Sequence, residues 1–138
     1  MKATVLCILV NLLMLIEGKT QTFRLGGIAP NGVYMGFLQF LPDGYASSGQ
    51  LEYPLIISLH GIGEKGNNST ELSNVQCCGI PDYIRKGNKM RFSWNGKWES
   101  FIVLTPQLDK RFAVWQNFYV DELINYALRT LKVDPDRI

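Results

Sequence analysis

The sequence predicts an α/β fold with a mostly parallel sheet, on the basis of three observations. Residues 55–59 and residues 101–105 are both apolar at almost every position, which is typical of strands covered by helices on both faces. A short helical signal lies between these two segments, and an amphipathic helical pattern follows the second. The order strand, helix, strand, helix favours parallel pairing of the two strands and a right-handed crossover between them.

Local signals add smaller elements in chain order. Residues 34–41 are rich in aromatic and aliphatic side chains and end at a Pro-Asp-Gly turn, which predicts an earlier strand. A short helix is predicted over residues 82–85, because Pro81 suits a first helical turn and Gly87 suits a helix end. The dipeptide Asn95-Gly96 predicts a tight hairpin turn.

The clearest helix in the sequence lies after residue 116. Its apolar residues recur three or four positions apart, and basic residues lie near its end, as the helix dipole favours: Val120, Leu123, Ile124, Ala127, Leu128 and Leu131 form the stripe. Residues 134–138 then break the helix and are expected to turn back toward the sheet. A helix with such a stripe normally leads into a further strand, so we expect the chain to be the front part of a longer protein.

The N-terminal residues 1–20 are interpreted as a signal peptide. Lys2 precedes an apolar run over residues 5–16, and polar residues begin at Glu17. Cleavage is expected between Gly18 and Gln21. The run is short for a membrane span, which needs about 20 apolar residues. We therefore expect a secreted or periplasmic protein without stable membrane association after signal removal; an uncleaved N-terminal anchor is the alternative.

The composition is that of a globular protein, and the length allows at most one domain, over residues 21–138. The whole chain has 138 residues, 46% of them hydrophobic, and a formal net charge of +2 without a basic run, which argues against nucleic-acid binding. One His and three Cys offer few soft metal ligands, so no metal and no organic cofactor are predicted.

Two features of the central region leave alternatives open. Cys77 and Cys78 are adjacent, and they can form a strained vicinal disulfide, remain as two buried thiols or bridge to a partner. Asn67 and Asn68 each begin a glycosylation sequon, which marks an exposed polar loop.

Residues 59–66, with the sequence LHGIGEKG, form the densest motif. Its three glycines match the dinucleotide-binding pattern G-x-G-x-x-G after a strand, but no helix signal opens there, and the acidic residue expected about 20 positions later on the next strand is missing. The alternative is a strand-end loop whose backbone N–H groups face an active site. We favour the loop.

Four motifs in order resemble the front half of α/β-hydrolases: residues 59–66, the Gly-Ile-Pro of residues 79–81, the FIVLTPQ of residues 101–107 and the VDPDRI of residues 133–138. The match covers about residues 34–138. It is to secreted serine esterases of phospholipase/carboxylesterase-like, polyhydroxybutyrate-depolymerase-like or prolyl-oligopeptidase-like type. The resemblance implies a three-layer α/β-hydrolase fold, present here as its N-terminal part, that cleaves carboxylic esters of small molecules or polymers through an acyl-enzyme intermediate.

The resemblance also assigns site residues. It implies that the Ile62 backbone N–H is one oxyanion-hole donor, supported by His60, Gly61 and Gly63, where glycine permits positive φ and close backbone approach. The nucleophile elbow G-x-S-x-G does not occur in the sequence, and His60 precedes any nucleophile. Nucleophile, acid and base are therefore expected outside this chain, which alone should be inactive.

Two further residues are candidates for lining the substrate. Gln107 follows the second buried strand, where ligands bind in open α/β sheets, but a loop-bracing amide fits the same position. Trp115 is the other candidate; together with Trp94 and Trp98 it can form an aromatic platform or simply pack.

Two other functions remain open on this evidence. A non-catalytic binding module would keep the fold without the catalytic residues, and a serine peptidase would use the same machinery. A G-x-S-x-G in sequence encoded after Ile138 would favour an enzyme, and a Gly or Ala in place of its Ser would favour the binding module.

Overall fold

A computed structural model describes residues 23–46 and 52–138. The predicted signal peptide, residues 1–20, and its expected cleavage site lie outside the described residues. The strands and helices occur in the following bounds: β1 (Arg24–Ile28), β2 (Met35–Phe40), β3 (Leu55–Ile57), α1 (Gly79–Arg85), β4 (Arg91–Trp94), β5 (Lys97–Ser100), β6 (Ile102–Pro106) and α2 (Asn117–Thr130). Short 3₁₀ turns lie at Pro30–Gly32, Ile62–Glu64 and Leu72–Gln76.

The four-stranded sheet has the order β1-β2-β6-β3. Strands β3 and β6 pair in parallel, with Leu55 opposite Ile102, as the sequence predicts. The other two pairings, β1 with β2 and β2 with β6, are antiparallel. The expectation of a mostly parallel sheet is therefore wrong for the described strands, which form a mixed sheet. Burial on both faces is visible in a sequence, but the direction in which a strand joins its neighbour is not.

Strand β1 is absent from the sequence-based interpretation because its sequence, RLGGI, contains two glycines and few strand-favouring residues. The pairing with β2 explains the glycines. A Cβ atom on Gly26 would lie 2.3 Å from the Phe37 ring, and one on Gly27 would lie 2.3 Å from the Tyr34 hydroxyl oxygen. The glycines thus allow large aromatic side chains to cover the strand.

The two helices pack on opposite faces of the central strand β6. On one face Ile102 and Leu104 join a cluster with the buried α2 residues Tyr119, Leu123 and Ala127. On the other face Val103 packs with Phe40, with Ile84 of α1 and with Met90. Alternation along a strand sends successive side chains to opposite faces, so one strand serves two cores.

Helix α2 has the predicted position but a shifted buried face. Its buried residues are Tyr119, Leu123 and Ala127, spaced four apart, whereas Leu128 of the predicted stripe is 43% exposed. Within residues 23–46 and 52–138, no helix is both long and apolar enough to cross a membrane.

A separate two-stranded hairpin precedes β6. Strands β4 and β5 pair in antiparallel fashion around Asn95-Gly96, whose φ values of 48° and 73° are those of a type I′ turn. The predicted hairpin is therefore confirmed. Its side chains are largely exposed, and it contributes little to the two cores.

The last described residues return to the sheet beside β3. Val133 forms a parallel bridge with Tyr53, and the Leu55 N–H donates to the Arg137 carbonyl at 2.9 Å. Residues 133–138 thus lie along the edge of β3 opposite β6, as the sequence leads us to expect.

Candidate functional site

The conspicuous loop of the molecule leaves the carboxyl end of β3. The Ser58 N–H still donates to the Leu104 carbonyl at 2.9 Å, so pairing with β6 continues just past β3. Residues 60–71, called the strand-end loop below, then leave the sheet. Gly61 is extended, with φ −79° and ψ −170°, and it precedes the 3₁₀ turn Ile62–Glu64.

Ile62 lies at the first position of that turn. Its N–H therefore has no partner inside the turn, and no other group of the described residues accepts a hydrogen bond from it. The residue is 81% exposed. The loop thus presents a free backbone donor at the carboxyl end of a parallel strand pair.

The two neighbouring glycines do not have the backbone conformation that the sequence led us to expect. Gly61 has a negative φ, and Gly63 is not among the glycines with positive φ. A Cβ on Gly63 would meet no atom within 4 Å. Positive φ is therefore not the reason for glycine at either position; both are exposed, and they keep the surroundings of Ile62 open.

His60 is held by hydrogen bonds at both ring nitrogens. Nε2 accepts from the Leu108 N–H at 2.8 Å, which requires this nitrogen to carry no hydrogen. The hydrogen of the neutral ring is therefore on Nδ1, which contacts the Gly61 carbonyl oxygen at 2.5 Å. This side chain ties the loop to the segment after β6, and neither nitrogen is available as a base.

Gln107 supports the loop from below. Its side chain is fully buried, and its amide nitrogen donates to the carbonyl oxygens of Glu64 and Glu71 at 2.9 and 2.7 Å. Its amide oxygen accepts from the Asn68 N–H at 2.8 Å. Of the two alternatives for Gln107, the geometry is that of a loop-bracing amide, because no part of it is accessible to a substrate.

A second polar group holds the same loop from the side. The Asn68 side chain is buried, accepts from the Gly36 N–H at 3.2 Å and donates to Asp109 Oδ2 at 3.4 Å. Arg111 donates to both Asp109 carboxylate oxygens, at 2.9 and 3.0 Å. These hydrogen bonds hold the pKa of Asp109 below its ordinary value. Desolvation by burial raises the pKa of the neighbouring Tyr119, whose hydroxyl oxygen accepts from the Asp109 N–H.

Only part of this network could be predicted from the sequence. The spacing of Asp109 and Arg111, two positions apart, suggests an ion pair. Nothing in the sequence shows that Asn68 is buried while the adjacent Asn67 is exposed. Asn67 itself is exposed, and its side-chain oxygen accepts from the backbone N–H groups of Ser69 and Glu71.

The three tryptophans do not form a shared platform. Trp115 is half-buried, donates from Nε1 to the His60 carbonyl at 3.2 Å and packs edge-on against the His60 ring. Trp94 and Trp98 lie on the hairpin, where the register places Trp98 opposite Ser93 and therefore on the other face from Trp94. Only Trp115 borders the strand-end loop.

Cys77 and Cys78 are joined to each other in a disulfide and are exposed, so the vicinal pairing is the alternative that the structure contains. Their sulfur atoms lie 3.0 and 3.4 Å from Glu64 Oε1. The residues between β3, the loop and the start of α1 enclose a cavity of about 170 Å³, which Glu64, both cysteines and Thr105 line.

The loop does not have the form of a dinucleotide site. After the turn at Ile62–Glu64 the chain continues without regular structure to the 3₁₀ turn at Leu72, and α1 begins only at Gly79. The glycines therefore do not open a helix, which the dinucleotide motif requires.

The comparisons with known proteins inform the fold of the chain. No protein-family model matches the chain, and neither does any curated protein sequence. Among solved structures, the chain is similar to the crystal structure of a thermostable esterase, with a TM-score of 0.54 and 18% identity. The match covers 81% of this chain and 31% of that one, so the chain spans about a third of the esterase's length.

At this level of identity the similarity concerns the fold. The described residues have an α/β fold with a mixed sheet, compatible with the fold of that esterase.

Proposed function

We propose that this chain is the N-terminal part of an exported serine hydrolase of three-layer α/β-hydrolase fold, which cleaves carboxylic esters through an acyl-enzyme intermediate. The fold similarity to an esterase supports this proposal, and so do the four sequence motifs. The substrate class is an ester of a small molecule or polymer, and the proposal requires no metal and no cofactor. Nucleophile, acid and base would come from sequence outside this chain.

The observation that carries the proposal is the unpaired Ile62 N–H in a loop that is otherwise heavily hydrogen-bonded. Ester cleavage by a serine passes through a tetrahedral intermediate whose negative oxygen needs donors at about 2.7–3.1 Å. A backbone N–H serves this role only if its position is fixed before the substrate arrives. The bond from the Leu108 N–H to the His60 side chain anchors the chain two residues before Ile62, and Gln107 anchors Glu64 at the end of the turn.

The roles of the surrounding residues follow from these contacts. Ile62 contributes its backbone rather than its side chain, so the residue type matters little to the donor. His60, Gln107 and Trp115 act as positioning residues, because each is bonded to the loop backbone or to its support. Loss of one oxyanion-hole donor typically lowers the rate of catalysis by a factor of about 10² to 10³.

The test compares Ile62→Pro with Ile62→Ala in the complete enzyme, using p-nitrophenyl acetate as substrate. Proline removes the N–H, so turnover should fall by about 10² or more, whereas alanine keeps the donor and should change turnover less than threefold. A structure or circular dichroism spectrum of each variant controls for distortion of the loop. Equal activity of the two variants would show that Ile62 is not an oxyanion donor.

Three simpler observations test the rest of the proposal. The sequence encoded after Ile138 should contain G-x-S-x-G, and replacement of its Ser by Gly or Ala would contradict catalysis. The 138-residue chain alone should show no esterase activity above background. N-terminal sequencing of exported protein should find a start between residues 19 and 22; retention of Met1 in a membrane fraction would contradict cleavage.

A further inference from the structure

The side chains of Glu64, Cys77 and Cys78 form a cluster of potential metal ligands, called the thiol–carboxylate cluster below. None of these side chains takes part in the proposed donor role of the Ile62 backbone. One ligand atom of each residue lies within 4.8 Å of the other two. The Glu64 side chain is 17% exposed, whereas both cysteines are exposed. The cluster is therefore open to ions and reductants on its sulfur side and enclosed on its carboxylate side.

The Glu64 carboxylate has no hydrogen-bond donor among the described residues. Its Oε1 faces the two sulfurs, which carry no hydrogen while they are bonded to each other. Its Oε2 is buried without a hydrogen-bond partner. His60 Nδ1 lies 3.7 Å from Oε2 and is already bonded to the Gly61 carbonyl. An enclosed carboxylate without a donor is costly, so a cation beside it would stabilise it.

Thr105 provides an independent sign of the same kind. Its side chain is fully buried, its hydroxyl oxygen has no hydrogen-bond partner, and it lines the same cavity of about 170 Å³ as the cluster. That volume is large enough for an ion with bound water. Two unpartnered polar groups on one small cavity indicate a ligand that both can contact.

We propose that, once the Cys77–Cys78 disulfide is reduced, the thiol–carboxylate cluster binds one thiophilic divalent cation such as Zn²⁺ or Cd²⁺. An external thiol or phosphine supplies the two electrons; the S–S bond breaks and each sulfur gains a proton. Binding then displaces those two protons, and two thiolates and one carboxylate ligate the ion. The disulfide form cannot bind the ion in this way, because neither sulfur is a thiolate.

The spacing of the ligand atoms suits such an ion. Zinc bonds sulfur at about 2.3 Å and carboxylate oxygen at about 2.0–2.2 Å, so tetrahedral coordination places a sulfur and an oxygen about 3.6 Å apart. The observed separations are 3.0 and 3.4 Å. The two sulfurs must move apart from each other and slightly away from Glu64 Oε1, and the fourth position remains for water or for the Thr105 hydroxyl. The proposal does not depend on esterase activity.

The experiment titrates Cd²⁺ into the full chain carrying Cys7→Ser, which removes the remaining cysteine. After reduction with a phosphine and its removal under nitrogen, sulfur-to-cadmium charge-transfer absorption should saturate at one ion per chain. The oxidised chain should show no such band, and Zn²⁺ should displace Cd²⁺ in competition. Absence of the band in the reduced chain would overturn the proposal.

Variants separate a built site from a simple pair of neighbouring thiols. Cys77→Ser or Cys78→Ser should weaken binding by about 100-fold, and Glu64→Gln by about tenfold, which corresponds to about 1.4 kcal/mol. The matched control Glu71→Gln, on the same loop, should bind as the parent does. Unfolding the parent chain in urea should also weaken binding at least tenfold, because Glu64 is then no longer held near the sulfurs. Unchanged affinity in Glu64→Gln or in urea would overturn the role of the carboxylate.

Discussion

The strand-end loop and the aromatic hairpin (residues 91–100) are both surface segments next to the same sheet, yet they are held in different ways. The loop has little regular structure, but hydrogen bonds to residues distant in sequence hold it. Gln107 binds its backbone, and its own Asn68 and His60 side chains accept from backbone N–H groups outside the loop. The hairpin is regular, and its defining bonds join residues within ten positions of each other. Its tryptophans, Trp94 and Trp98, are 73% and 62% exposed.

The comparison shows that regular structure and fixed position are separate properties. A hairpin needs only its turn and its cross-strand bonds, so it can move as a unit without disturbing the core. The loop cannot open without leaving the buried amide of Gln107 and the backbone groups it binds unpaired, which is costly. A segment that must hold one backbone donor in a constant position benefits from the arrangement of the strand-end loop.

Removal of the central brace should have the largest effect. Gln107→Ala deletes three hydrogen bonds to the loop backbone and leaves buried groups unpaired, so the free energy of unfolding should fall by about 2–5 kcal/mol. Urea denaturation measures the change. The control Gln116→Ala removes an amide that reaches only the Val114 carbonyl, and it should cost less than about 0.5 kcal/mol. Equal costs would mean that the loop is not held from below.

A backbone change in the loop should come next in size. A Cβ on Gly66 would lie 2.4 Å from Gln107 Nε2, and that side chain is buried and bonded, so it cannot move aside. Gly66→Ala should therefore lower the free energy of unfolding by about 1–3 kcal/mol. Gly63→Ala, on the same loop with open space around it, should change stability by less than about 0.5 kcal/mol. A tolerated Gly66→Ala would show that the packing under the loop is loose.

The hairpin should respond locally. Gly96 has a φ of 73°, which alanine adopts at a cost of about 1–2 kcal/mol. In Gly96→Ala the amides of residues 91–100 should exchange with solvent about five to thirty times faster, while those of the strand-end loop keep their rates. Native-state hydrogen exchange resolves the two segments. The exposed substitution Trp94→Ala serves as the control and should leave both sets nearly unchanged; acceleration in the loop would contradict the independence of the two regions.

The smallest expected effect is on the stability of the fold at acidic pH. Arg111 holds the pKa of Asp109 below its ordinary value of 3.8, so this ion pair stabilises the fold above about pH 4 and its contribution is lost as the pH falls further. Arg111→Gln should raise the pKa of Asp109 toward the ordinary value, as measured by carboxyl ¹³C shifts. Asp109→Asn should flatten the acid side of the stability profile. An Asp109 that titrates at or above its ordinary value in the parent chain would contradict the ion pair.

Sequence patterns predicted those parts of the fold that depend on neighbours in the chain. Helix α2 and the Asn95-Gly96 hairpin follow from spacing and turn residues within a short window. The parallel pairing of β3 with β6 also follows from the order of elements. The direction of β2 and the presence of β1 do not, because the partners that decide them are set by pairing across the sheet, as the contact between Gly26 and Phe37 shows.

In the candidate site, too, local features could be predicted from the sequence and long-range contacts could not. The position of Ile62 after a strand end is legible in the residue pattern and in the family resemblance, although its role as a donor stays a prediction. The braces are not legible, because His60 and Leu108, or Asn68 and Gln107, are about forty or more positions apart and neither partner signals the other. Asn68 and Gln107 each stand out in the sequence for a different reason, and nothing there joins them.

The burial of Asn68 has a consequence for biosynthesis. Asn67 and Asn68 begin overlapping sequons, but Asn67 is exposed while the Asn68 side chain lies between Gly36 and Asp109. In a secretory compartment that transfers oligosaccharides to nascent chains, a glycan on Asn67 would be carried on the surface. A glycan on Asn68 would occupy the space in which this side chain must be enclosed. Chains that receive a sugar on Asn68 before the loop closes would therefore not mature, whereas chains that close first would.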